Sequence, residues 1–241
     1  ILTSIKAAVS SQVILSVTKG LTSDGGMLSA VAQRILPNND YALLSGPSFA
    51  REVAKQMPTA VIIASEKKDC AMGLVKAFSH NYFRAYASDD LLGVQIGGAV
   101  KNVLAVACGI SDGMGFGANA RAGLITRGLS EMMRLGAALG AHPKTLMGLS
   151  GMGDLVLTCT DDQSRNRRFG LAIGQGKNLK QAQKSIGQVV ESATTTQQVK
   201  ALAKAHNVDM PITLQIDAIL NGGVAPEIAV EALFSRELKT E

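Results

Sequence analysis

Tryptophan is absent from this 241-residue chain, and aromatic residues make up only 4% of it. Proteins that grip single-stranded nucleic acid stack bases on several exposed rings, so that class of function is excluded. Cysteine is scarce and scattered: Cys70, Cys108 and Cys159 form no C-x-x-C pair. An odd, dispersed set excludes a zinc ribbon or a disulfide scaffold and fits a reducing compartment, with the cytoplasm as the expected location. Histidine is equally thin. His80, His142 and His206 lie far apart, without H-E-x-x-H or H-x-x-x-H spacing, so no metal site is expected. The longest nearly charge-free apolar run, Val103 to Ile110, falls short of the ~20 residues a membrane span needs. No basic segment with an apolar core opens the chain, and neither a membrane span nor a leader is expected. Fixed-period repeats and low-complexity tracts are also missing, which excludes solenoids and linker-rich arrays.

What is present is a composition able to bury a sizeable core, with 46% hydrophobic residues and 25 glycines. Lys plus Arg outnumber Asp plus Glu by 24 to 19, a modest excess that points to anionic small molecules more than to a nucleic-acid surface. Short β-branched or apolar runs at 13–17, 41–44, 60–64 and 82–86 read as strands, each bounded by turn residues and separated by helical segments. That alternation predicts a mainly parallel sheet covered by helices, the α/β class. After the capping cluster Ser88-Asp89-Asp90 the strand signals stop, and helices are predicted near 90–110, 119–140, 163–175, 193–206, 213–221 and 225–236. In the second of these, Ile125, Leu129, Met132 and Leu139 form an apolar stripe with Arg121, Arg127 and Arg134 off it. The boundary between a sheet domain, 1–88, and an all-helical domain, 89–241, falls there. The segment 1–9 reads as the tail of a helix, so the chain is expected to start inside a domain.

Four clusters carry chemistry. Lys101 and Asn102 interrupt a helix that is otherwise apolar all round. A buried ammonium must be paired or lose its proton more easily, and either outcome yields a group that exchanges protons near neutral pH; the bland alternative is a lysine in the helix's first turn that snorkels to water. Asp154 sits in the apolar, glycine-rich run 149–158 and also needs a partner. If that run is helical, Asp154 and Thr158 share a face, whereas an N-cap role is the plain alternative. Ser164-Arg165-Asn166-Arg167-Arg168 places a hydroxyl, an amide and three guanidinium groups at a helix start, a phosphate receptor in outline or else a basic surface end. Ser45-Gly46-Pro47-Ser48 and Thr18-Lys19-Gly20 end adjacent strands at the carboxyl edge of the sheet, where open α/β sheets bind ligands.

Taken together, SVTKGL (16–21), LSGPSFAREVA (44–54), GVQIGGAVKNVLA (93–105), GFGANARAGLITRGL (115–129), GMGDLVLTCTDDQSRNRRFG (151–170), IGQVVES (186–192) and MPIT (210–213) resemble the bacterial-type NAD(P)-dependent glycerol-3-phosphate dehydrogenase family almost from end to end. The resemblance implies the C-terminal part of a Rossmann-like domain followed by an all-α substrate domain. It implies NAD or NADP as cofactor and exchange of a hydride with dihydroxyacetone phosphate, giving sn-glycerol 3-phosphate for phospholipid synthesis. Lys101 matches the catalytic proton donor and acceptor. Lys19 matches a lysine touching substrate and cofactor, and Gly46, Ser48, Asp154, Ser164, Arg165 and Asn166 match substrate positions. Asn102 and Thr158 match positions lining the same site, and Ala50, Arg165, Val189 and Glu191 match cofactor contacts. The expected assembly is a homodimer, with no nucleic-acid partner. Two departures stand out: the family's opening G-x-G-x-x-G loop is not found here, and Ser192 stands where the family usually has glycine. The rival readings are a related two-domain hydroxy-acid dehydrogenase and a catalytically silent interaction module.

Overall fold

A computed structural model of the chain describes residues 1–22, 25–187 and 192–237. After a short helix α1 (Leu2–Ile5), its first part runs β1 (Ile14–Ser16), α2 (Leu28–Ile35), β2 (Tyr41–Ser45), α3 (Ala50–Ala54), β3 (Thr59–Ala64), α4 (Lys68–Phe78) and β4 (Phe83–Ser88). The strands pair in chain order. β1 with β2 and β3 with β4 are parallel, but β2 with β3 is antiparallel. The expected mainly parallel sheet is borne out in two of its three pairings; the central pairing is antiparallel, and there the connecting helix is the shortest of the three. A parallel crossover must carry the chain back along the strand, ~20 Å for six residues. The five residues of α3 rise only ~7.5 Å, against ~16 Å for the eleven of α4. The chain leaving β2 enters β3 from the same end.

The second part is helical: α5 (Leu91–Gly113), α6 (Ala118–Leu139), α7 (Pro143–Leu146), a π-helical turn (Leu149–Gly153), α8 (Asp154–Thr160), α9 (Arg165–Gly174), α10 (Leu179–Ile186), α11 (Ser192–Ala205), α12 (Pro211–Gly222) and α13 (Pro226–Phe234). Asp90 caps α5 as the sequence predicts. Its Oδ1 accepts from Gly93 N at 2.8 Å, and its Oδ2 accepts from His142 N at 2.9 Å, tying the start of α5 to the segment before α7.

α5 is the spine of the molecule. Leu91 and Val94 in its first turns pack with Leu43 and Ala64 of the sheet, and from Ile96 onward it is the centre of the helical core. Its 23 residues are long and apolar enough by composition to cross a membrane, which a search for uncharged runs misses because Lys101 divides the helix. Of its most apolar window, 89% is buried inside the fold. α9 lies directly against it. Gly109 and Gly113 face Gly170 and Gly174, and a Cβ at any of the four would collide with the opposing backbone, so the two helices pack main chain to main chain. On α6, Leu129 and Met132 are buried in the same core and Ile125 and Leu139 pack against it, as the stripe predicts.

Candidate active site

Because β1 and β2 are parallel neighbours, their carboxyl ends share one rim. Lys19 lies just beyond β1 and Gly46 directly follows β2. Lys19 Nζ donates to the Gly46 carbonyl at 3.2 Å, and Ser48 Oγ donates to the same oxygen at 3.0 Å. Gly46 has φ +135°, and a Cβ there would press on Val61 Cα at 3.1 Å, so this turn requires glycine.

α5 brings its own face to that rim. Gly97 and Gly98 precede Lys101 by four and three residues and share its face. A side chain at Gly97 would strike the Ser150 carbonyl of the π-helical turn, and one at Gly98 would lie 3.4 Å from the Lys19 stem. The glycines thus let the turn leading into α8 and the Lys19 side chain close on α5 one turn before Lys101. Lys101 lies ten residues into the helix, not in its first turn, and is only 6% exposed. The snorkelling alternative therefore fails.

Asp154 begins α8 and is 1% exposed. Its carboxylate bridges two ammonium groups. Oδ1 forms a tight charge-assisted pair with Lys101 Nζ, and Oδ2 meets Lys19 Nζ at 2.6 Å. Lys101 also donates to Thr158 Oγ1 at 3.0 Å, while that hydroxyl donates to the Asp154 carbonyl one turn back at 2.6 Å. Asp154 is thus no N-cap, and the α8 turn that puts Thr158 beside it fixes the receiving end of Lys101. Burial pulls the Lys101 ammonium from its usual 10.5 down to about 8; Asp154 opposes that shift, and the like charge of Lys19 adds to it. Two ammonium groups against one carboxylate leave the cluster cationic when all are charged.

The second cluster starts α9. Ser164 caps the helix, its Oγ accepting from Arg167 N at 3.2 Å; Ser164 is buried, Asn166 half-buried and Arg165 exposed. Arg167, however, turns inward. Its Nε donates to the Cys159 carbonyl at 3.0 Å, Nη2 meets Asp112 Oδ2 at 2.7 Å, and Nη1 pairs closely with Asp162. Asp112 also holds Arg121 of α6 at 2.9 Å. Of the three guanidinium groups expected to face an anion, Arg167 is committed to joining α5, α8 and α9.

Hydrogen bonds therefore gather Lys19, Gly46, Ser48, Lys101, Asp154 and Thr158 into one network, and adjoining segments carry the other predicted residues. Ala50 opens α3 four residues beyond Gly46, Asn102 is half-buried next to Lys101, and Ser164 to Asn166 start the helix packed on α5. Val189 and Glu191 lie outside the described residues. Sequence reasoning missed Glu52 and Gln163, whose side chains bond across the two parts of the molecule at 2.7 Å; the only signal was their place inside the quoted motifs. Among the described residues, no group of three or more His, Cys, Asp or Glu is placed to hold a metal ion.

Comparison with known proteins matches residues 1–71 to the N-terminal family of NAD-dependent glycerol-3-phosphate dehydrogenase and residues 90–231 to its C-terminal family. The glycerol-3-phosphate dehydrogenase (NAD(P)+) of Halorhodospira halophila is 54% identical over 226 residues, which cover 93% of this chain and 68% of that protein. Its counterpart in Francisella tularensis is 51% identical over 231 residues, covering 95% of this chain and 70% of that protein. The crystal structure of glycerol-3-phosphate dehydrogenase from Coxiella burnetii superposes with a TM-score of 0.94 at 47% identity, covering 98% of this chain and 73% of the other.

Proposed function

This chain belongs to the family of NAD-dependent glycerol-3-phosphate dehydrogenases, and on that premise we propose that it exchanges a hydride reversibly between NAD(P)H and dihydroxyacetone phosphate, producing sn-glycerol 3-phosphate for phospholipid synthesis. The observation that supports this chemistry is the line Lys101–Asp154–Lys19, buried at Lys101 and Asp154 and half-buried at Lys19, which puts an ammonium where α5 meets the sheet rim. NAD(P)H, when bound, supplies the hydride. Lys101 Nζ gives a proton to the substrate's C2 oxygen in reduction and takes one from the C2 hydroxyl in oxidation. Asp154 holds that ammonium in place, and Lys19 keeps the cluster cationic toward an anionic substrate.

The donor chemistry suits the phosphate and the cofactor. Ser164, Arg165 and Asn166 sit at a helix start, where free N–H groups, an Arg fork and short polar side chains favour phosphate. Gly46, Ser48, Asn102 and Thr158 line the substrate. Lys19 and Ala50 occupy the rim of the parallel strands β1 and β2, the kind of edge where open sheets take dinucleotides, and with Arg165, Val189 and Glu191 they are the residues we assign to NAD or NADP. The free cysteines support a reducing cytoplasm as the location, and a homodimer is the assembly we expect. We assign residues 1–88 to the cofactor and 89–241 to the substrate.

Purified protein given NADH or NADPH should oxidise the cofactor when dihydroxyacetone phosphate is added, as followed by ultraviolet absorbance. Unphosphorylated dihydroxyacetone should react far more slowly. Absence of cofactor oxidation with the phosphorylated ketone would sink this reading.

A further inference from the structure

We propose that Glu52 and Gln163 are a pair of positioning residues that fasten the phosphate-binding start of α9 to the sheet, setting its distance from Lys101. This rests on the function proposed above. The connection between α8 and α9 spans only residues 161–164, yet site residues flank it on both sides: Asp154 and Thr158 before it, Ser164 to Asn166 at its end. One side of this loop is anchored to the helical part, since Arg167 pairs with Asp162 and donates to the Cys159 carbonyl. The other side is anchored to the sheet. Gln163 Nε2 donates to Glu52 Oε1 at 2.7 Å, joining residues 111 positions apart.

Local geometry aims Gln163 at that partner. Asp161 accepts Gln163 N at its Oδ1, 2.7 Å away, and Ser164 N at its carbonyl, 3.1 Å away, making a compact turn. Glu52 stands in the middle of α3, a helix too short to move independently of the β2 turn that carries Gly46 and Ser48. The β2 turn also approaches the π-helical turn that leads into α8, where Pro47 Cδ lies 3.8 Å from the place a Cβ on Gly153 would take. Around the site residues the sheet and the helical part are thus joined by Lys19–Asp154 and, beside the start of α9, by Glu52–Gln163. Neither member of the second tie meets a reacting atom. Its use is geometric, because dihydroxyacetone phosphate is short and fixed in length, so a phosphate site that drifts against the carbonyl site loses the productive pose.

An amide donating to a carboxylate is a charge-assisted bond, here half-buried, so Glu52→Ala and Gln163→Ala should each raise KM for dihydroxyacetone phosphate roughly three- to tenfold, with kcat within about twofold. The double variant should be no worse than the weaker single one. Glu52→Gln, which keeps an acceptor oxygen, should restore KM to near the wild-type value, an outcome that loss of folding would not give. Tryptic cleavage after Arg165 provides a readout independent of turnover and should accelerate in both alanine variants. An unchanged KM in both, effects that add in the double variant, or unchanged cleavage would overturn the tie while leaving the proposed activity standing. A wild type inert toward dihydroxyacetone phosphate would overturn the activity instead, and cleavage would still decide whether the bond holds the loop.

Discussion

Two carboxylates in the helical part are equally buried, each 1% exposed, and they have opposite uses. Asp154 is neutralised by the ammonium groups of Lys101 and Lys19, which come from α5 and the β1 rim. Glu131 on α6 is satisfied by the start of α12: it accepts from Ile212 N at 2.5 Å, from Thr213 N at 3.1 Å and from Thr213 Oγ1 at 2.9 Å. There it serves as a remote cap for a helix whose own cap residue, Met210, has no side-chain acceptor. Burial of a charge therefore does not mark a site. The partner does, because backbone N–H donors hold a carboxylate without exchanging protons, whereas an ammonium pulled toward neutral pH can give its proton up.

The comparison breaks most sharply at Lys101. Lys101→Ala should lower kcat by about 10² to 10⁴, the usual worth of general acid–base help, and leave cofactor KM nearly unchanged. A small change in kcat would put Lys101 in the same structural class as Glu131. With the ammonium at about 8, the proton donor is lost above that pH. Reduction should therefore fall as pH rises through 8, and oxidation, which needs the neutral amine, should rise over the same range.

Asp154→Asn comes next. It removes the carboxylate that opposes the depression of Lys101, so the pH limb should move to lower values. Loss of one charge-assisted bond, ~1.5–3 kcal/mol, should reduce kcat/KM roughly tenfold to a hundredfold. A limb that stays put would mean that Asp154 does not set the state of Lys101. Arg165→Lys should act on a different quantity. It keeps the charge and loses the fork, raising KM for the phosphorylated ketone about tenfold while leaving that for dihydroxyacetone in place. An equal rise for both substrates would remove Arg165 from the phosphate site.

Several of these contrasts were legible in the sequence and others were not, for identifiable reasons. The four strands, six of the longer helices and the solitary charges Lys101 and Asp154 are visible because apolar periodicity and its interruptions are local. The antiparallel pairing of β3 with β2 is hidden, since no residue within the strands encodes which way the next strand runs. So is the burial of Arg167: SRNRR shows three guanidinium groups, and only the packing of α9 on α5 through glycines decides which of them turns inward. Glu131 gives no signal at all, because it falls beside an ordinary amphipathic stripe and its partners lie 81 and 82 residues away. The Glu52–Gln163 bond is long-range in the same way.

The smallest effect on activity is expected at Glu131, which is where the comparison is sharpened. Glu131→Gln keeps the size of the side chain but turns one acceptor into a donor facing the N–H groups of Ile212 and Thr213, and it should cost roughly 1–3 kcal/mol of stability in denaturant unfolding. Turnover per folded molecule should be unchanged. The pH dependence follows from burial, which raises the Glu131 pKa above the ordinary carboxylate value, while its hydrogen bonds from Ile212 and Thr213 oppose the shift. A carboxyl whose folded pKa is raised contributes stability that is fully present below its unfolded pKa and is lost as pH rises through the folded value. The advantage of the wild type over Glu131→Gln, which has nothing to titrate there, should therefore shrink across that window and stay level above it. A gap that widens instead would show that the α12 donors outweigh burial. A fall in turnover to match Asp154→Asn would show that the two buried carboxylates do not differ in kind.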